Sequence, residues 1–405
     1  MILRQIMLII ALGIVFTGFV KAQTNNATPS DTSTFKPSGK LWGLTFGDLA
    51  WKEHADALDR GATQYSGSSF PQNYSSFEFR RIYLGYDYDI RRQFTAQVLL
   101  AYESPYPSGA TADVDAGSNR VLYLKAANIR WKGIFKHSDL IIGQQATPST
   151  TLVSTVLWGY RSIERTISDM RSIAKTYDFG ASLQGNDSKG NIGYHVLVSD
   201  GNGTKLPTTP FRKFSGDIFA RFLHQRFVID AYADYQRLQL LPFEEHNVTY
   251  KGLVAWQSKT ITIGIEYFVQ MQYNQLTTIA TKTKTATDTG NIVPSGFSIF
   301  VHGPIYKDKL VFFVRYDTYD PDDNYNSTIF AKTVGSSSVT QVFITAGLDW
   351  SPNKNIHIIP NIWYDAFHDN KPGATGTDLN DYDLVPRLTF YYTFNAAGLD
   401  KIQTH

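Results

Sequence analysis

Sixteen runs of alternating apolar and polar residues follow one another along this chain, and the links between them alternate strictly, seven short and eight long. The runs lie at approximately 40–50, 77–89, 93–103, 121–132, 139–146, 177–184, 191–199, 214–223, 226–236, 248–257, 260–270, 295–303, 308–318, 339–350, 354–363 and 382–394. Every even-numbered run leads into a tight polar link: Arg91-Arg92, Gly133–Ser138, Gly185–Gly190, His224-Gln225, Ser258-Lys259, Pro304–Lys307 and Ser351–Asn353. Every odd-numbered one leads into a long link: 51–76, 104–120, 147–176, 200–213, 237–247, 271–294, 319–338 and 364–381. A chain that crosses a membrane back and forth, with tight returns on one side and long excursions on the other, keeps this rule. A Greek-key sandwich has no reason to. Most runs approach the ~9–11 residues of a tilted membrane-spanning strand. The expected fold is therefore all-β: a 16-stranded antiparallel transmembrane β-barrel. Eighteen strands are the alternative, because the short run 139–146 could conceal a bulge or an extra strand. An even count places both termini on the short-turn side.

Within the runs, one parity is apolar with aromatics near the ends. In 260–270, Ile261, Ile263, Ile265, Tyr267 and Val269 alternate with Thr262, Gly264, Glu266, Phe268 and Gln270. The polar parity, taken as the lumen wall, collects Arg81, Asp217, Arg221, Asp230, Asp234, Glu266, Arg315 and Arg387. Basic and acidic walls facing one another would set up a transverse field that orients polar solutes; balanced charge is equally what any wet surface carries. A soluble sandwich shows the same alternation with its apolar face inward, so the links and not the runs tell inside from outside. Run 121–132 resists assignment, since Lys125 shares a parity with Val121, Tyr123 and Ile129.

The ends fit an exported chain. Arg4, the apolar run Ile6 to Val20 and the small-residue site Val20-Lys21-Ala22 read as a signal peptide over 1–22. Residues 23–38 are a polar, low-complexity leader, 39–394 the barrel, and 395–405 a tail after Phe394. The chain has 38 basic and 36 acidic residues, and losing Arg4 and Lys21 with the signal leaves 36 of each. Neutrality argues against nucleic acid as a bulk electrostatic partner. With 24 Tyr, 26 Phe, 7 Trp and no Cys, the composition suits an outer-membrane barrel and excludes a disulfide-stapled domain.

The third long link, 147–176, carries an amphipathic pattern. Val156, Tyr160, Ile163, Ile167, Met170 and Ala174 recur at helical spacing and predict a helix face. The opposite face bears Arg161, Arg165, Arg171 and Lys175 against Glu164 and Asp169. If the apolar face packs on the wall, this link folds inward as a constriction lined by Trp158, Tyr160, Arg161, Arg165, Arg171 and Lys175. Basic groups in a narrow aqueous passage lower the barrier to anions. The bland alternatives are a surface helix capping a soluble β-protein, or arginines that merely pair with Glu164, Asp169 and the wall acids.

Asp320, Asp322 and Asn324 offer oxygen ligands at alternate positions, a weak calcium candidate that lacks the glycine and glutamate of an EF-hand. An Asp/Asn-rich turn is the competing reading. His302 and His357 fall on the lumen parity, but no GxSxG or HExxH motif accompanies them, so no enzyme and no cofactor are expected.

The segments FEFRRIYLGYDYDI (77–90), GQQATP (143–148), WGYRSIERTISDM (158–170) and LTFYYTF (388–394) resemble porin-like outer-membrane proteins of Bacteroidetes-type bacteria, distantly similar to the phosphate-selective porins. The resemblance implies a trimeric barrel whose third long loop folds inward, with Arg161, Arg165 and Arg171 as the matching anion-holding residues. Two features depart from that pattern: there is no dense arginine and lysine ladder, and Phe394 is followed by NAAGLDKIQTH. The function expected is passive conduction of small hydrophilic solutes across a Gram-negative outer membrane, with a mild preference for anions. The partners are membrane lipid, small solutes and two further copies of the chain. The alternatives are a channel specific for a sugar or organic solute, and a non-conducting barrel whose loops bind a partner.

Overall fold

The computed structural model describes residues 35–61, 63–67, 70–104, 122–149, 153–239, 244–276, 289–325, 338–369 and 380–395. The expected signal peptide, the leader up to residue 34 and the tail from residue 396 lie outside them. From Pro37 onward the chain is one compact unit.

Seventeen strand segments form a single antiparallel sheet that closes on itself. They are β1 (Ser38–Trp51), β2 (Ser75–Arg91), β3 (Phe94–Glu103), β4 (Tyr123–Phe135), β5 (Ser138–Ala146), β6 (Tyr177–Asn186), β7 (Ile192–Ser199), β8 (Lys213–Phe222) and β9 (Phe227–Gln239). Then come β10 (Glu245–Gln257), β11 (Thr262–Leu276), β12 (Thr289–Ile292), β13 (Ser295–Tyr306), β14 (Leu310–Asp320), β15 (Val339–Asn353), β16 (Ile356–Asp369) and β17 (Asp381–Phe394). Both β12 and β13 pair with β11 and are parted only by Val293 and Pro294, so they make one wall strand and the barrel has sixteen. Proline has no N–H to give the ladder; its carbonyl still accepts from Gln270 N at 2.9 Å. The barrel closes where β1 pairs with β17, from Gly43 opposite Phe394 to Ala50 opposite Arg387. All sixteen sequence runs coincide with wall strands, and among the described residues no further pair lies near 139–146.

The burial pattern is that of a membrane barrel rather than a soluble one. In β11 the polar parity is enclosed (Thr262, Glu266, Gln270) while Ile263, Ile265 and Tyr267 face outward. In β9, Asp230 and Asp234 point in and Ile229 points out. Outward aromatics gather near the short turns (Trp131, Phe222, Trp256, Tyr306, Trp350, Phe394) and near the long-link ends (Trp51, Phe77, Phe214). Aliphatic residues fill the band between. Such girdles suit the two interfaces of a bilayer.

Two β-bulges redirect charge into the lumen. Between β1 and β2, Arg81 stands opposite Phe46 and Phe79 opposite Gly47, so Arg80 is an extra residue. Arg80 and Arg81 consequently both face inward, although they are neighbours. Between β3 and β4, Ala126 stands opposite Leu99 and Leu124 opposite Leu100, leaving Lys125 as the extra residue. Lys125 is buried inside while Ile129 is exposed outside. A change of parity within one strand explains why alternation alone could not assign Lys125.

The outward assignment has a measurable consequence. Ile265→Arg should destabilise the refolded barrel by about 2–4 kcal/mol, the cost of a cation at mid-bilayer depth. Guanidinium unfolding in lipid vesicles measures this. A cost no larger than that of Ser298→Ala on the inner face would rule out lipid contact at Ile265.

Candidate functional site

Residues 153–175 of the third long link pack against side chains that share the lumen parity of the wall. Where one amphipathic helix was expected there are two short ones: α1 (Ser154–Trp158) and α2 (Ile167–Met170). Gly159, with a φ of 70°, ends α1 in the left-handed region and breaks the run. Of the expected apolar face, Tyr160, Ile163, Ile167, Met170 and Ala174 are buried and Val156 is half-buried; Leu157 and Trp158, off that face, join Tyr160, Ile163, Phe219, Leu253, Phe300, Phe313 and Ile359 in one cluster. Ile167 packs separately with Phe268 from β11, and Met170 with Phe343 and Trp363.

The turn between the helices carries four carbonyl oxygens with no helical partner; the wall supplies donors to three of them and Trp158 of the link to the fourth. Arg80 Nη1 donates to Ser162 O at 3.0 Å and to Ile163 O at 2.6 Å. Arg387 Nη2 donates to Ile163 O at 3.4 Å, Trp158 Nε1 to Glu164 O at 2.8 Å, and Arg315 Nη1 to Arg165 O. The three wall arginines are themselves held by carboxylates. Asp48 accepts from Arg387 at 2.9 Å and lies 3.6 Å from Arg80; Arg315 pairs with Asp317. Arg387 also stacks over the Trp363 ring at 3.6 Å. Guanidinium groups suit this task, since each presents several fixed donors and keeps its charge when buried.

The charged residues of the link divide into two kinds. Arg165 is turned back on its own segment, donating to Asp169 O at 3.1 Å and approaching Glu164 at 3.4 Å. Arg171 reaches Gln341, lies 4.0 Å from Asp365 and stacks on Tyr319. Both are buried and held by these partners. Trp158 is 1% exposed and occupied with the cluster and Glu164. Lys175 is exposed at the exit of the segment, where its carbonyl accepts from Thr147 Oγ1 at 2.6 Å. Arg161 alone points towards the opposite wall. It pairs with Asp169 at 2.6 Å and keeps 17% of its side chain exposed.

Opposite Arg161 stands a group that sequence reading missed. Glu103 accepts from Lys125 at 2.6 Å, from Tyr123 at 2.8 Å and from Tyr83, with Arg81 3.4 Å away. Lys125 lies over the rings of Tyr83 and Tyr177, at 5.2 and 4.9 Å. The expected wall residue Arg81 thus belongs here, with Arg315 and Arg387 in the arginine cradle. The acids Asp217, Asp230, Asp234 and Glu266 lie together on β8, β9 and β11, where Lys251 is 3.8 Å from Asp230 and 3.7 Å from Glu266. Ser168 donates to Glu266 at 3.1 Å and Lys251 approaches Ser154 at 3.3 Å, so this acidic wall faces the link. Lys213 pairs with Asp234 at 2.8 Å. Arg221 is half-buried and reaches the short turn, donating to Gly190 O at 3.1 Å.

The first long link also packs inward, which its Gly- and Ser-rich sequence did not signal. Tyr65 and Phe70 join Ala50, Met170, Phe343, Trp363 and Val385 in a buried cluster, and Tyr65 donates to Asp48 at 2.9 Å. Asp320, Asp322 and Asn324 form a turn: Asp320 accepts from Asp322 N at 2.9 Å, and Asp322 from Val293 N at 3.1 Å and Asn324 N at 3.2 Å. Among the described residues no three His, Asp or Glu side chains are grouped to hold a metal ion.

The fold is that of outer-membrane porins. An anion-selective porin from Comamonas acidovorans superposes with a TM-score of 0.56 at 11% identity, covering 89% of this chain and 100% of that one. OmpT of Vibrio cholerae, expressed in the outer membrane, gives 0.55 at 9% identity, with 90% and 100% covered. Salmonella typhi OmpF, in complex with daunomycin, gives 0.50 at 12% identity, with 88% and 97% covered. No family model matches the sequence, and no curated protein matches it.

Removing one arginine of the cradle should release the link. Arg387→Ala leaves Asp48 buried without its closest cation, at a cost of about 3–5 kcal/mol. The expected readout is new trypsin cleavage after Arg161, Arg165 or Arg171 in a barrel that still resists unfolding in detergent; unchanged resistance would show that Arg387 is not a clamp. Acid should act similarly. Burial raises the carboxyls of Glu164 and Asp169, but Arg80 and Arg165 outweigh it at Glu164, and Arg161 and Arg165 at Asp169, so both sit below their ordinary values. Their contribution is complete above the unfolded value, near pH 4, and is lost only as pH falls through the lower folded one. Trypsin cannot report at such pH; pepsin cleavage within 153–175 should rise steeply below about pH 4 and stay flat above it.

Proposed function

We propose that this protein is a passive outer-membrane porin for small hydrophilic solutes, with segment 153–175 as a fixed constriction and a mild preference for anions. The observation that carries this reading is a closed barrel with polar inner walls, crossed by a segment whose turn carbonyls are clamped by Arg80, Arg315 and Arg387. Such a segment narrows the lumen without moving. The preference for anions rests on Arg161, which lies within electrostatic reach of Arg81 and Glu103 and pairs with Asp169, while Lys125 pairs with Glu103. The acidic wall of β8, β9 and β11 lies behind the segment, where Lys213 pairs with Asp234, Lys251 with Asp230 and Glu266, and Ser168 donates to Glu266. Solutes would therefore meet the basic side of the lumen.

In this reading the long links are extracellular and the short turns periplasmic, and residues 1–22 are the export signal. The outward apolar band is lipid-facing in part and the contact between three copies in part. Catalysis has no place in it: His302 Nε2 donates to Leu157 O at 2.9 Å, and His357 is bound to Asp349 at 2.9 Å.

Single-channel recording in a planar bilayer, with the reversal potential under a salt gradient, tests the proposal. Stable steps with a reversal potential biased towards chloride are expected. Arg161→Glu changes the local charge by two; at about 8 Å in a water-like dielectric this costs an anion ~1 kcal/mol and favours a cation by as much, or roughly a thirtyfold fall in the anion-to-cation permeability ratio. A cation-biased wild type would overturn the anion preference, and insertion without conductance would overturn the porin reading.

A further inference from the structure

Below the constriction, on the short-turn side, lies a cavity of about 620 Å³. It is bounded above by Gly159, Tyr160 and Ser162 of the link and below by the turns at Ser258-Lys259, Asp308 and Lys354-Asn355. We propose that this cavity is a binding site for a neutral hexose-sized saccharide, taken up as it passes the constriction. The inference rests on the porin reading for the route by which the solute arrives, and on the following chemistry for its class.

Saccharides present apolar C–H faces and a rim of hydroxyls that each donate and accept. A site for them therefore combines aromatic rings with planar polar groups of both kinds. The cavity holds both. Val311 and Ile359 form apolar floor, and the rings of Tyr160 and Tyr391 stand on its margin. Tyr391 is half-buried, T-shaped to Phe46 at 6.1 Å and tilted over His357 at 5.2 Å. Tyr160 is fixed by stacking on Phe313 at 4.4 Å, so its place needs no rearrangement on binding. The planar polar groups are the His357–Asp349 pair, joined at 2.9 and 3.1 Å, together with Asn355 and His302.

Charge argues for a neutral ligand here, in contrast to the region around Arg161. Lys259 and Lys354 in the lining are matched by Asp308 and Asp349, so a carboxylate or phosphate gains no net field. The volume falls within the range of small-molecule sites and is several times that of one sugar ring, leaving room for water-bridged contacts. The position also suits a solute in transit. The lining residues come from the link, from three short turns and from six wall strands, so a molecule held here lies directly beneath the constriction.

The test uses the full-length refolded protein and glucose as probe. In planar bilayers, glucose added on the short-turn side should lower single-channel current with a saturating concentration dependence, whereas polyethylene glycol of matched hydrodynamic size should give only a linear, viscosity-like fall. Tyr391→Ala should weaken the glucose effect about tenfold, and His357→Ala comparably, each measured relative to that variant's own current in plain salt. Tyr391→Phe, which keeps the ring, should retain it. Calorimetry of glucose into detergent-solubilised protein repeats the comparison without needing conduction. A conducting channel with equal glucose and polymer effects, or with tighter block by glucose 6-phosphate than by glucose, would overturn the saccharide site and leave the porin reading intact. A barrel that never conducts yet binds glucose in the calorimeter would do the reverse. Should both Tyr391→Ala and His357→Ala fail to fold, Asn355→Ala, half-buried in the short turn, is the third variant; unchanged glucose affinity there would count against the site.

Discussion

The carbonyl oxygens of Ser162, Ile163, Glu164 and Arg165 must all be satisfied before a chain segment can lie inside this barrel. A turn between two short helices exposes them, and a buried carbonyl without a donor costs as much as a lost hydrogen bond. The wall answers with Arg80, Arg315 and Arg387, and the segment adds Trp158. Each guanidinium would be expensive to bury alone. Asp48 and Asp317 offset that cost, and the Trp363 ring covers Arg387. Much else follows from this arrangement: the fixed height of the segment, the burial of its apolar residues against β8 to β16, and the projection of Arg161 to the other side.

The barrel was legible in the sequence because its signature is topological. Short and long links alternate whatever the residues within them, and that order survives uncertain strand ends. Parity was legible for the same reason, except where a bulge intervened. At Lys125 one residue is added to the ladder without any compositional mark, so inside and outside exchange midway along β4. The Arg80-Arg81 pair did carry a mark, two adjacent cations in an alternating strand, and only Arg81 was read from it.

The constricting segment was half legible. Helical spacing picked out residues that are buried, yet the burial is achieved by two short helices and a wall-bound turn, because Gly159 stops the first one. What spacing could not supply was partners. Arg387 and the carbonyl of Ile163 are 224 positions apart, and Arg315 and that of Arg165 are 150 apart. Arg165 and Arg171, which looked like pore lining on a helical wheel, are buried against their partners. Glu103 lies at the end of β3, next to a link whose sequence gave no hint of the lysine and tyrosines that converge on it.

The cradle also lies across the seam of the barrel. Asp48 is on β1, Arg80 on β2, and Arg387 and Thr389, both bonded to Asp48, on β17. β1 and β17 are the most distant strands in the chain, and their meeting is the longest loop closure the fold requires. Until the last strand arrives, Asp48 lacks two of its partners and Ile163 one of its donors. The same contacts that fasten the segment therefore register that the cylinder is complete, and an unfinished barrel is also an unplugged one.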